Sequence, residues 1–159
     1  EISLGLVGSE MCIRDSPNVA LKPHYLYDTN VVILTLFPGI QENMIRNILH
    51  TPGLRAVVLK TYGSGNAPQK PWFIDLLKEA TDRGIVIINI SQCSTGSVEM
   101  GRYETGLHLL DAGVISGYDS TVESVLTKLM FLLGHGKNES EIRHQMSIPV
   151  AGEFTIPTM

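Results

Sequence analysis

Apolar and polar positions follow two rhythms along this chain, and the points where one gives way to the other predict its elements. Val31-Val-Ile-Leu-Thr-Leu-Phe37 is a β-branched apolar run halted by Pro38-Gly39, the pattern of a strand buried on both faces and followed by a loop. Ile40, Met44, Ile45, Ile48 and Leu49 then recur at helical spacing until Pro52-Gly53 denies the helix another turn. A second strand is predicted over residues 55–60, then a glycine-rich loop and a helix from about Pro71, because proline suits the first helical position, where its missing N–H would be unpaired anyway. Phe73, Leu76, Leu77 and Ala80 form the buried stripe of that helix, and Gly84 fits the left-handed position beyond its end.

Residues 85–90, Ile-Val-Ile-Ile-Asn-Ile, supply a third strand, and its exit loop over residues 91–96 is small and polar. A helix is expected near residues 100–110, ending at Ala112-Gly113 before the short apolar segment Val114-Ile115. Ser120 and Glu123 have capping-box spacing, and Val122, Val125, Leu126, Leu129, Met130 and Leu133 line the helix that follows, with Gly134 as its stop. Asn138 and Glu141 predict a last short helix through about Met146, and the chain from Gly152 onward reads as a frayed tail.

Strands alternating with helices at this spacing imply parallel pairing through right-handed crossovers. The expected fold is α/β: a small three-layer αβα domain of flavodoxin-like type with about four mainly parallel strands. In such a sheet the loops after Phe37, Lys60 and Ile90 converge on the carboxyl edge, which gathers Tyr62, Asn66, Gln92 and Cys93 where open α/β sheets bind small ligands.

The domain is expected over residues 31–153, preceded by a linker at 17–30 and followed by a tail at 154–159. Residues 1–16 have neither rhythm and lack the basic start and apolar centre of a signal peptide. Leu6-Val-Gly-Ser-Glu-Met-Cys-Ile-Arg-Asp15 resembles the in-frame translation of a transposon adapter from DNA sequencing libraries. On that reading the stretch is non-native, Cys12 carries no meaning and the natural protein begins upstream.

Composition narrows the functions. With 159 residues and 43% apolar side chains, the chain can build one substantial core. No run approaches the length of a membrane span, so no membrane partner is expected. A formal charge of −4 with scattered Lys and Arg leaves no continuous basic surface for nucleic acid. The two cysteines and five histidines show no disulfide framework or zinc spacing, so no metal is expected and a reducing, cytoplasmic setting is the simplest.

The chemistry concentrates in Lys60-Thr-Tyr-Gly-Ser-Gly-Asn-Ala-Pro68, which follows the second strand directly. Gly63 and Gly65 allow backbone conformations closed to other residues, and Asn66 offers an amide that both donates and accepts. An ordinary strand-to-helix connection has a similar composition. The hydroxyls of Thr61, Ser64, Ser91, Ser94 and Thr95 have no histidine or lysine base at a recognisable spacing, so none is read as a nucleophile.

Leu59-Lys-Thr-Tyr-Gly-Ser-Gly-Asn-Ala-Pro-Gln69, Thr81-Asp-Arg-Gly-Ile-Val-Ile-Ile-Asn-Ile-Ser-Gln-Cys93, Ala112-Gly-Val-Ile115, Thr121-Val-Glu-Ser-Val-Leu-Thr-Lys-Leu129 and Ala151-Gly-Glu153 together resemble the C-terminal domain of bacterial L-asparaginases of the cytosolic type I branch. The resemblance implies an amidohydrolase converting L-asparagine to aspartate and ammonia without a cofactor. Its threonine nucleophile, and a supporting threonine, lysine and aspartate, would lie in a larger N-terminal domain missing from this chain, so that no catalytic residue is expected here. Gly65 and Asn66 would bind the substrate's α-amino and α-carboxyl region in a pocket shared between subunits of a homodimer or homotetramer.

Family members of this type also carry a second asparagine site that activates them, and by motif its residues fall at Lys60 and Cys93. Arginine commonly occupies the former position. A lysine presents a mobile point charge where arginine would grip a carboxylate with a fork, so effector binding should be weaker or rearranged. For Cys93 a small buried hydrophobe at a strand end is the competing reading. Two other functions stay open: an amidase-like subunit of a tRNA-dependent amidotransferase, and a stand-alone flavodoxin-like ligand-binding module.

Overall fold

The computed structural model describes residues 20, 22–101 and 104–156, apart from the side chains of Glu104 and Thr105. The adapter-like residues 1–16, Cys12 among them, lie outside the described residues. Four parallel strands stand side by side in chain order: β1 (Val31–Thr35), β2 (Ala56–Thr61), β3 (Val86–Ser91) and β4 (Ile115–Ser116). Helices α1 (Glu42–Leu49), α2 (Pro71–Asp82) and α3 (Glu104–Asp111) form the crossovers, and α4 (Val122–Gly134) and α5 (Glu139–Met146) follow the last strand.

Right-handed crossovers in an order that never reverses put α1, α2 and α3 on one face. Ile45, Leu49, Phe73, Leu76, Leu77, Ala80 and Leu109 accordingly pack with Val57, Leu59 and Ile87. On the opposite face Val125, Leu129, Leu133, Ile142 and Met146 pack with Ala56, Val58, Val86, Ile88 and Ile90. Successive strand side chains point to opposite faces, so β2 and β3 divide their apolar residues between two cores. The expected three-layer αβα domain with four strands is therefore present, and the stripe predicted for α2 is buried throughout.

Several local expectations fail for identifiable reasons. β1 is not buried on both faces: Leu34 and Leu36 are, whereas Ile33 is 43% and Phe37 47% exposed. It is the edge strand of the sheet, paired with β2 on one side only among the described residues. Met44, placed on the buried face of the first helix by spacing, is 48% exposed; Ile45 and Leu49 are buried in the core and Ile48 packs against it. The third crossover helix is described over Glu104–Asp111, and Met100 lies in a turn rather than in a helix.

The cap of α4 is Thr121, not Ser120. Thr121 accepts a hydrogen bond from the Ser124 amide at 3.2 Å, while the Ser120 amide closes a turn on the Gly117 carbonyl. The capping box predicted for α5 does form, between Asn138 and Glu141. Gly134 is not a left-handed stop; that backbone belongs to Gly136, at φ +68°. Gly134 is needed for close approach instead, since a Cβ there would lie 2.6 Å from the Leu26 carbonyl oxygen. Tyr27 and His24 pack their rings on Phe131 beside it, and the Asp28 amide donates to the Met130 carbonyl. The approach segment before β1 is thus docked on α4.

The tail does not fray at Gly152. Lys128 Nζ donates at 2.6 Å to both the Ile148 carbonyl and Glu153 Oε1, and Glu153 also accepts from the Val150 and Ala151 amides at 3.1 and 2.7 Å. Phe154 then stacks on Tyr118 with ring centroids 5.0 Å apart, and the Thr155 amide donates to Asp119 at 2.7 Å. Burial pushes the Glu153 carboxyl upward, but the bonds from Lys128, Ala151 and Val150 outweigh it and bring it from 4.5 down to about 2. Because the folded value lies below the unfolded one, this stabilisation is complete above pH 4.5 and disappears as the pH falls toward 2. We expect Glu153→Gln to cost up to about 3 kcal/mol at pH 7. In urea titrations the gap between variant and parent should close between pH 4.5 and 2; a gap independent of pH would contradict the assignment.

Candidate functional site

The carboxyl edge of the sheet carries two polar features on opposite faces, and strand alternation separates them. Lys60 shares its parity with Val58 and projects to the α4 side. There it lines an open cleft of about 630 Å³ with Ile90, Ser91, Cys93, Asp119, Thr121 and Glu123. Thr61, one residue later, projects to the α1–α3 side, as does Asn89 on β3.

In the cleft, Lys60 supplies positive charge, Asp119 and Glu123 negative charge, and the first turn of α4 the positive end of its helix dipole. The amide of Thr155 lowers the Asp119 carboxyl below its usual range, and burial opposes this only partly. A site with an ammonium, two carboxylates and a helix N-terminus has the charges to pair with both ends of a zwitterion. Lys60 and Cys93, linked beforehand only by motif, meet here. Cys93 is exposed, which rules out the buried-hydrophobe reading.

On the other side of the edge, residues 62–66 fold into a closed loop. The Tyr62 amide donates to the Asn66 carbonyl at 2.8 Å, and the amides of Gly65 and Asn66 both return to the Tyr62 carbonyl at 3.0 and 2.8 Å. Gly63 and Gly65 hold φ of +50° and +110°. The second value lies where only glycine is at ease, and a Cβ on Gly65 would also sit 2.9 Å from Val98 Cγ1. Gly65 is buried and Asn66 is presented at the surface.

The expectation that Tyr62, Asn66, Gln92 and Cys93 share one neighbourhood holds for the loops but not for a single pocket. Ser91 Oγ donates to the Gly63 carbonyl at 2.6 Å and accepts from the Cys93 amide at 2.9 Å, so the two loops are tied together. Gln92 Nε2 donates to the Leu36 and Lys60 carbonyls at 2.7 and 3.0 Å, pinning the ends of β1 and β2. Tyr62 and Asn66 nevertheless stand outside the cleft that holds Lys60 and Cys93.

Reading by sequence missed Asp119 and Glu123 as the acidic side of the cleft, since nothing in their spacing connects them to Lys60. It also passed over the buried pair in which Thr61 Oγ1 donates to Asn89 Oδ1 at 2.7 Å. The signal for that pair was present: Asn89 is the one polar residue in an otherwise apolar run of six. Among the described residues no cluster of three or more His, Cys, Asp or Glu could hold a metal ion.

The comparisons with known proteins decide what kind of domain presents this edge. The model of the Glutaminase/Asparaginase C-terminal domain matches residues 30–146. The chain belongs to that family. It is 46% identical over 132 residues to L-asparaginase 1 of Escherichia coli K12, covering 83% of this chain and 39% of that protein. It is 36% identical over 154 residues to the human 60 kDa lysophospholipase, covering 96% of this chain and 26% of that one. Among solved structures, L-asparaginase I from Vibrio cholerae superposes with a TM-score of 0.83 at 41% identity, over 89% of this chain and 42% of its own. The thermostable L-asparaginase from Thermococcus kodakarensis superposes at 0.78 with 34% identity, over 91% of this chain and 44% of its own. This chain therefore spans between 26% and 44% of the length of these relatives.

Gly65→Ala tests the loop directly. The unfavourable φ and the contact with Val98 should together cost about 1–3 kcal/mol of stability, read from chemical denaturation. An alanine variant as stable as the parent would show that the loop is not held in this conformation.

Proposed function

We propose that this chain is the C-terminal, subunit-interface half of an L-asparaginase that hydrolyses L-asparagine to L-aspartate and ammonia. The observation that carries the proposal is membership of the Glutaminase/Asparaginase C-terminal domain family together with 46% identity to L-asparaginase 1 of Escherichia coli. Archaeal glutamyl-tRNA(Gln) amidotransferase D subunits also match, at 33–35% identity. The higher identity and the acidic net charge of −4 favour the free amino acid over a tRNA-linked substrate.

In this reading the nucleophile is a threonine on an N-terminal domain outside this chain. It attacks the side-chain amide carbon, ammonia leaves, and water releases the acyl-enzyme. Asn66 supplies polar grip to the α-amino and α-carboxyl groups, with Gly65 allowing the approach. The hydroxyls nearest the loop are otherwise engaged: Thr61 donates to Asn89 and Ser91 donates to the Gly63 carbonyl. The cleft of Lys60 and Cys93 takes a second asparagine as effector, for which its mixed charge is suited. Its grip is looser than an arginine in place of Lys60 would provide.

The parent is read as a cytoplasmic homodimer or homotetramer in which this domain completes a neighbouring subunit's pocket. No helix among the described residues is long and apolar enough to cross a membrane. The purified 159-residue chain should release no ammonia from asparagine in a coupled assay. Turnover near the rate of an intact asparaginase would refute the division of labour proposed here.

A further inference from the structure

The buried side of the carboxyl edge contains one group that the proposed function does not use. Asn89 is fully buried on β3, between Ile88 and Ile90, which are themselves buried. Its Oδ1 accepts the Thr61 hydroxyl at 2.7 Å, but its Nδ2 has no hydrogen-bond partner among the described residues. Leaving a buried NH₂ unsatisfied costs about 1–3 kcal/mol. An apolar β-branched residue would continue the strand without that cost, as its neighbours do.

The position of the amide points to what it does. Nδ2 lies only 3.5 Å from where a Cβ on Gly65 would stand, so the side chain is directly beneath the loop that presents Asn66. Its other end holds Thr61, the last residue of β2 and the residue before that loop begins. The Asn89 main chain is also engaged, its carbonyl accepting the Gly117 amide at 2.7 Å. One side chain on an interior strand thus holds the residue that enters the loop and lies beneath its tightest glycine.

We propose that Asn89 is the positioning residue for Asn66: its carboxamide seats the 62–66 loop, with Oδ1 holding Thr61 at the loop's entry and the amide end packed beneath Gly65. The inference rests on the reading of Asn66 as a substrate-binding residue. It deepens that reading by assigning the precision of the grip to a buried group that never touches substrate.

The test uses the intact protein that carries this domain, with two readouts. In Asn89→Leu, the Gly65 and Asn66 amides, both bonded to the Tyr62 carbonyl, should exchange with solvent about tenfold faster or more, while the amides of the β2 core keep their rates. The KM for asparagine should rise roughly tenfold with kcat within about twofold, the signature of lost binding rather than lost chemistry. If Asn89→Leu does not fold, Thr61→Val, which retains the amide and removes only its fixed end, should move both readouts in the same direction by a smaller factor.

Unchanged exchange at Gly65 and Asn66 would overturn the proposal, as would unchanged KM in Asn89→Leu alongside a raised KM in Asn66→Ala. If instead Asn66→Ala leaves KM unchanged while Asn89→Leu still speeds exchange, the seating of the loop stands and the substrate reading of Asn66 falls.

Discussion

The structure depends on the parallel pairing of β2 with β3, two strands buried on both faces and held in register from Ala56 opposite Val86 to Thr61 opposite Ser91. A parallel pair can be closed only by a crossover. The repeated right-handed crossovers in unbroken order send three helices to one face and leave the other for α4 and α5. Every side chain on these strands is thereby committed to one of the two faces of the sheet, and a slip of one residue would exchange the two sets.

The same alternation organises the functional edge. Lys60 and Thr61 are adjacent in the chain, yet one opens into a charged cleft beneath α4 and the other is sealed against Asn89 under the 62–66 loop. Two polar sites can therefore sit on one strand end without sharing a cavity. The Ser91 hydroxyl helps to join them, donating to the Gly63 carbonyl on one side and accepting from the Cys93 amide on the other. The tail contributes from outside: Phe154 on Tyr118 and Thr155 on Asp119 fasten the β4–α4 connection that forms one wall of the cleft.

Glu153 shows how a segment without sequence pattern becomes ordered. It has no periodicity and no cap to announce it, but Lys128 on α4 brings an ammonium within 2.6 Å and two neighbouring amides complete its shell. Partial burial removes competing water, so these bonds are stronger than they would be on an open surface.

Much of the architecture was legible in the sequence because burial imposes period. The apolar runs at β2 and β3, the stripe of Phe73, Leu76, Leu77 and Ala80, and the Asn138–Glu141 cap each record a local constraint that residues within a few positions satisfy. The glycines of the 62–66 loop were legible for the same reason, since backbone conformation is a local property. Edge and neighbour were not. That β1 leaves Ile33 exposed and that Gly134 yields to the Leu26 backbone depend on which elements lie alongside. The meeting of Lys60 with Asp119 and Glu123, and of Asn89 with Gly65, is likewise decided by tertiary structure alone, because residues tens of positions apart become neighbours only when the strands have been placed side by side.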